Sequence, residues 1–129
     1  MKKTVTFSEI CDKLARGGVE SPAFEAGELI CHFERVSRAL VRFGDYSSAE
    51  LLSAVERRTQ GEPLQYIIGE WEFFGLRMFC GKGCLIPRPE TAELVNLIKD
   101  NEKGHSPQHI LDLCTGSGCI AIALSKALP

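Results

Sequence analysis

His109-Ile110-Leu111-Asp112-Leu113-Cys114-Thr115-Gly116-Ser117-Gly118-Cys119-Ile120-Ala121-Ile122-Ala123-Leu124 is the stretch whose reading decides the fold. Residues 109–114 are mostly apolar and end at a turn, which reads as a short strand. Thr115 to Gly118 is a glycine turn, and the small and apolar residues from Cys119 onward open a helix. Strand, glycine turn and helix in that order begin the repeating unit of an α/β fold. Gly116 and Gly118 can take backbone angles closed to other residues, and their missing side chains let a ligand approach the main chain. The helix start behind them offers free N–H groups and the positive end of a dipole. Such a turn can cradle a phosphate, or the amino-acid tail and ribose of S-adenosylmethionine. Gly116-x-Gly118-x-x-Ala121 also matches the dinucleotide fingerprint.

Asp112 tilts the choice among these ligands. It stands four residues before the first glycine, where the strand opens into the turn. A carboxylate there suits the sulfonium and ammonium groups of S-adenosylmethionine and repels a pyrophosphate. Dinucleotide binding and a purely structural turn, with Asp112 as its cap, stay open at this point.

Just upstream, Pro87-Arg88-Pro89-Glu90-Thr91 leads into a helix over Thr91 to Lys99. Two prolines stiffen the backbone that presents Arg88. Glu90 suits the first turn of the helix that follows. The segment reads either as a rigid helix start or as a loop closing over the ligand pocket, with Arg88, Pro89 and Glu90 lining it. Asn101 to Gln108 is then a polar loop with Gly104 and Pro107. Further back, Glu70 to Phe79 is aromatic and partly alternating, which predicts a β-hairpin turning near Gly75. Gly81-Lys82-Gly83 is a second turn, and Leu85-Ile86-Pro87 reads as a short strand halted by proline.

The first sixty residues have a different texture. Thr6-Phe7-Ser8-Glu9 fits a capping box, and Gly17-Gly18 stops the helix it opens. Ser21-Pro22 starts a second helix, with Phe24, Leu29, Phe33 and Val36 near one face and Ile30 and Leu40 beside them. Gly44-Asp45 ends that pattern. Ser47-Ser48-Ala49-Glu50 starts a third helix, which Gln60-Gly61-Glu62-Pro63 closes. Lys and Arg number 9, as do Asp and Glu, over residues 1–60. A small, charge-balanced bundle of this kind suits partner docking better than chemistry.

Composition bounds the rest. The chain has 129 residues, 44% hydrophobic and 25% charged, with a net charge of −2. That is ordinary globular usage and excludes a non-specific nucleic-acid binder or a wholly disordered chain. No apolar run approaches the ~18 residues of a membrane span. Met1-Lys2-Lys3 lacks the apolar core of a signal peptide behind it, so a cytoplasmic location is expected. The six cysteines, Cys11, Cys31, Cys80, Cys84, Cys114 and Cys119, form no C-x-x-C pair. They read as reduced thiols packed as small hydrophobes, with no metal and no disulfide implied. His32, His105 and His109 add no ligand spacing.

Four blocks then occur in order: Gln65-Tyr66-Ile67-Ile68-Gly69, Phe73-Phe74-Gly75, Leu85-Ile86-Pro87-Arg88-Pro89-Glu90-Thr91, and Asp112-Leu113-Cys114-Thr115-Gly116-Ser117-Gly118. Together they closely resemble the HemK/PrmC-type release-factor glutamine methyltransferases. The resemblance covers essentially the whole chain. It implies a multidomain α/β protein: an N-terminal helical docking domain over 1–62, a linker with a β-hairpin over 63–87, and over 88–129 the start of a Rossmann-like class I methyltransferase domain. It also implies S-adenosyl-L-methionine as cofactor, held by Asp112, Cys114, Thr115, Gly116, Ser117 and Gly118. The implied substrate is the glutamine of the Gly-Gly-Gln tripeptide in peptide chain release factors.

The chain departs from the family pattern in three ways. Cys114 stands where glycine is usual, and Ala92 replaces a common glutamate. No Asn-Pro-Pro-Tyr, the family's catalytic tetrapeptide, occurs in these residues. The chain therefore looks like under half of the enzyme and is expected to be inactive alone, with little or no donor binding. The competing expectations are a stand-alone helical docking module for a release factor or ribosomal partner, and the front of a dinucleotide-dependent enzyme.

Overall fold

The computed structural model describes residues 4–106 and 109–128. Met1-Lys2-Lys3, Pro107 and Gln108 of the polar loop, and Pro129 lie outside the described residues. The chain divides into two compact units, Met1–Ile68 and Gly69–Pro129. Its described residues mix six helices with two small antiparallel pairs of strands.

The first unit begins with β1 (Val5–Thr6) and runs directly into α1 (Phe7–Arg16). The capping box is present. The Glu9 N–H donates to Thr6 Oγ1 at 3.3 Å, and the Thr6 N–H donates to Glu9 Oε2 at 2.7 Å. The α1 end meets α3 (Ala49–Thr59) closely: a Cβ on Gly17 would lie 2.8 Å from Thr59 Cβ. Glycine is needed there for space. α2 (Pro22–Glu34) starts at the expected proline, and β2 (Asp45–Tyr46) pairs with β1, Val5 opposite Tyr46. α4 (Leu64–Ile68) completes the unit and packs on α2 and α3.

The interior follows from the apolar spacing. Leu14, Leu29, Ile30 and Leu51 are fully buried, and Ile10, Ala54, Val55 and Leu64 of the same unit are buried as well. Arg58 clasps Glu25 through two nitrogens, one bond at 3.1 Å, joining α3 to α2 with both side chains largely covered. Lys13 pairs with Glu56 at 2.6 Å on the exposed side, and that hydrogen bond holds the Glu56 carboxyl below its ordinary range.

The second unit opens with β3 (Glu70–Phe73) and β4 (Leu76–Phe79), the expected hairpin. Phe74 and Gly75 form its two-residue loop with φ of 53° and 71°. Positive φ at both positions is the type I′ geometry that matches strand twist. Alternation sends Phe73 and Met78 inward and Glu72 and Arg77 outward. α5 (Pro89–Asn101) packs on α6 (Cys119–Ala127), and Val95, Cys119, Ala123 and Leu124 join Phe73 and Met78 in one small core.

Several expectations need correction. Residues 109–114 do not form a strand: 109–112 are irregular and 113–114 turn. A strand exists only through ladder bonds to a neighbour, and neither two-stranded sheet of the described residues reaches this segment. Its Leu111 and Leu113 are correspondingly exposed, at 80% and 76%. Leu85-Ile86-Pro87 is likewise no strand; proline withholds a donor, and the chain runs straight on to α5. α2 ends ten residues before Gly44, because Arg35 turns left-handed at φ 57°. The thiols divide: Cys80 and Cys119 are buried, Cys11 and Cys31 are partly covered, and Cys84 and Cys114 are exposed because they sit on turns. Among the described residues no helix is long and apolar enough to cross a membrane.

Leu51→Ala is expected to lower stability by about 2–5 kcal/mol, whereas Phe43→Ala, at an exposed position, stays within about 0.5 kcal/mol. Urea denaturation followed by circular dichroism measures both.

Candidate functional site

The candidate site is the turn between residues 112 and 118. Three of its residues have positive φ: Cys114 at 57°, Gly116 at 59° and Gly118 at 77°. A Cβ on Gly116 would meet nothing within 4 Å, and one on Gly118 would make only ordinary contacts. The glycines are therefore required by backbone conformation, and the space over Gly116 is open. Cys114 adopts the same left-handed conformation with a side chain, at a cost of roughly 1–2 kcal/mol.

Hydrogen bonds tie the turn together. The Gly118 N–H donates to the Thr115 carbonyl at 3.0 Å, and the Ile122 N–H donates to the Gly118 carbonyl at 2.9 Å, the first bond of α6. The Thr115 hydroxyl donates to Asp112 Oδ2 at 2.9 Å. One carboxylate oxygen of Asp112 is thus fixed from within the turn. This contact was not foreseen from the sequence; the Asp-x-x-Thr spacing was its available sign. Gly118 caps α6 without a side-chain hydrogen bond. The first-turn N–H groups of α6 therefore have no side-chain acceptor at the cap, and the helix dipole favours an electron-rich group there.

Residues 88–90 form the start of α5. Arg88 is its N-cap, extended at φ −102° and ψ 141°, and its carbonyl accepts from the Thr91 N–H at 3.1 Å. Pro89 takes the first helical position and Glu90 the first turn. All three are exposed, while Ile86 and Pro87 before them are buried. The rigid helix start expected from the prolines is present. The structure joins Asp112, Thr115 and Gly118 by bonds. Among the described residues, no hydrogen bond joins Arg88, Pro89 or Glu90 to residues 112–118. No cluster of three or more His, Cys, Asp or Glu side chains suited to a metal occurs among the described residues.

Comparison with known proteins finds relatives of the chain. Residues 7–69 match the family model of the PrmC N-terminal domain. A release factor glutamine methyltransferase of Thermodesulfovibrio yellowstonii is 42% identical over 112 residues, covering 81% of this chain and 40% of that protein. The protein of the same description from Vibrio cholerae is 40% identical over 126 residues, covering 92% of this chain and 43% of that protein. The chain belongs to the PrmC family. It spans about two fifths of the length of these curated relatives. The PrmC N-terminal match ends at Gly69, one residue past Ile68, the last residue of the first structural unit. The Vibrio cholerae alignment covers 92% of the chain, so the glycine turn lies within the stretch shared with that relative.

Two outcomes test this geometry. Iodoacetamide is expected to label Cys84 and Cys114 of the folded chain well before Cys80 and Cys119; burial also pushes the Cys80 thiol pKa up, leaving less thiolate. Peptide mass spectrometry reads the order. Gly118→Val forces a β-branched residue into a left-handed cap at a cost of at least about 1–2 kcal/mol. Faster hydrogen exchange at the first amides of α6 is the expected result.

Proposed function

We propose that this chain is the front part of an S-adenosylmethionine-dependent methyltransferase acting on a protein glutamine. Its substrate is the side-chain amide of the Gly-Gly-Gln glutamine in peptide chain release factors, and it works in the cytoplasm. The names of the relatives support the reaction class. The observation that carries the reading is the turn itself: a carboxylate at Asp112, steadied by Thr115, followed by an open glycine backbone and a helix start without a side-chain cap. That donor and acceptor set fits a ligand with cationic groups at one end and polar groups at the other.

In this reading residues 1–62 dock the protein substrate, 63–87 connect, and 88–129 begin a Rossmann-like methyltransferase domain. Asp112 faces the cationic amino-acid part of the donor. The turn from Cys114 through Thr115, Gly116 and Ser117 to Gly118 receives it along the main chain. Arg88, Pro89 and Glu90 line the opening from a stiff backbone. When bound, the donor supplies an electrophilic methyl carbon on a sulfonium. Transfer forms a nitrogen–carbon bond, breaks the carbon–sulfur bond and releases a proton from the amide nitrogen. The residues that orient the glutamine amide are not among these 129, so turnover is not a property of this chain alone. A second reading, a helical module that only docks, is favoured by one observation: the first unit encloses its own core.

Calorimetric titration with S-adenosylmethionine decides between them. Binding is expected for the full-length product of the gene encoding these residues and to be weak or undetectable for the 129-residue chain. Asp112→Asn in the full-length protein is expected to weaken binding by about tenfold or more, the worth of a charged hydrogen bond of roughly 1.5 kcal/mol. Absence of binding by the full-length protein would leave the docking module.

A further inference from the structure

Nine residues of the first unit carry a pattern that donor chemistry does not use. Arg35-Val36-Ser37-Arg38-Ala39-Leu40-Val41-Arg42-Phe43 contains three arginines and no acid, in a chain of net charge −2. The segment follows the left-handed turn at Arg35 and crosses the surface as two linked turns. The Leu40 N–H donates to the Ser37 carbonyl at 2.9 Å, and the Phe43 N–H to the Leu40 carbonyl at 3.0 Å. Val41 anchors it, being buried and accepting the Tyr46 hydroxyl at 2.8 Å. The side chains around that anchor face outward: Leu40 is 58% and Phe43 83% exposed.

Two of the three arginines, Arg38 and Arg42, are held over aromatic rings. The Arg38 guanidinium lies 5.0 Å from the Phe24 ring centroid and pairs with Glu28; that of Arg42 lies 5.2 Å from the Phe7 ring. Of the acids close in sequence, Glu34 is engaged with the Ser48 N–H and Glu28 with Arg38, while Asp45, two residues beyond Phe43, is exposed. Among the described residues Arg35 and Arg42 have no ion pair. Cations fixed over rings lose less freedom on binding than free side chains do. An aromatic and an aliphatic group flanked by arginines is the composition found at the centre of protein interfaces. Single-stranded nucleic acid is held by several stacking platforms in a basic groove, and segment 35–43 has one aromatic ring, Phe43.

We propose that segment 35–43 docks an acidic face of the protein substrate, with Phe43 and Leu40 as apolar anchors and Arg35 and Arg42 facing its carboxylates. The partner's identity rests on the function proposed above; the surface and its chemistry are additional to it.

The test is binding of the 129-residue chain to a purified, fluorescently labelled bacterial release factor, read by anisotropy at low and physiological salt. Arg35→Glu with Arg42→Glu is expected to weaken binding by about tenfold or more, while Lys82→Glu, a charge reversal in the other unit, stays within about twofold. Phe43→Ser is expected to weaken binding, and added salt to weaken the unaltered chain. Arg35→Gln with Arg42→Gln, checked for an unchanged circular dichroism spectrum, repeats the ranking without reversed charge. Four results would overturn the proposal: no binding by the unaltered chain, full binding by both double variants, an equal loss in Lys82→Glu, or arginine-dependent capture of a short single-stranded RNA in place of the release factor. Failure of the underlying function is read separately, as absence of glutamine methylation by the full-length gene product.

Discussion

Leu14, Leu29, Ile30 and Leu51 are removed from solvent altogether, and the helical unit is organised around that burial. One of these residues comes from α1, two from α2 and one from α3, so no helix can leave without opening the interior. Helices of ten to thirteen residues are marginal alone in water and gain their stability mainly from such packing. The polar devices act at the edges of this core. The Thr6–Glu9 box sets where α1 begins, and Gly17 lets its end approach Thr59. The Arg58–Glu25 clasp fixes α3 against α2. Because the Tyr46 ring is buried and its hydroxyl is bonded to Val41, the basic segment 35–43 is pinned to the same core.

The second unit lives under a different constraint. Its core is small, built on Val95 and Ala123 with Phe73, Met78, Cys119 and Leu124. The segment leading into the glycine turn has apolar side chains but no neighbouring strand among the described residues. The turn is therefore ordered from its downstream side, through Gly118 and the first bonds of α6, and from within by Thr115 and Asp112. Local chemistry is enough to shape the loop. A sheet beneath it is a separate requirement, which a single apolar segment cannot meet.

This contrast explains what was legible in the sequence. Signals that act over three or four residues were readable: the capping box at Thr6, the Ser21-Pro22 start, the Ser48 cap, the Phe74-Gly75 reversal and the helix from Cys119. Features that depend on distant partners were not. Nothing periodic marks the pairing of Val5 with Tyr46. The apolar spacing of Val36 and Leu40 continues the α2 pattern, yet Arg35 leaves the helix first. The period of 109–114 fits a strand but cannot create the strand beside it. At the site, Asp112 and the two glycines stood out from residue type alone. The left-handed backbone of Cys114 did not, because nothing in a cysteine announces that conformation.

The self-contained core of the first unit bears on how the chain is made. Its last buried residue is Ile67, and residues up to Ile68 make up one compact unit. Ribosomes add about 5–20 residues each second and domains fold as units in the order they emerge. The helical unit can thus close while the glycine turn is still unsynthesised. The exposed apolar segment at 109–113 then emerges beside a finished neighbour rather than an open one, which lowers the chance of the two halves collapsing onto each other wrongly.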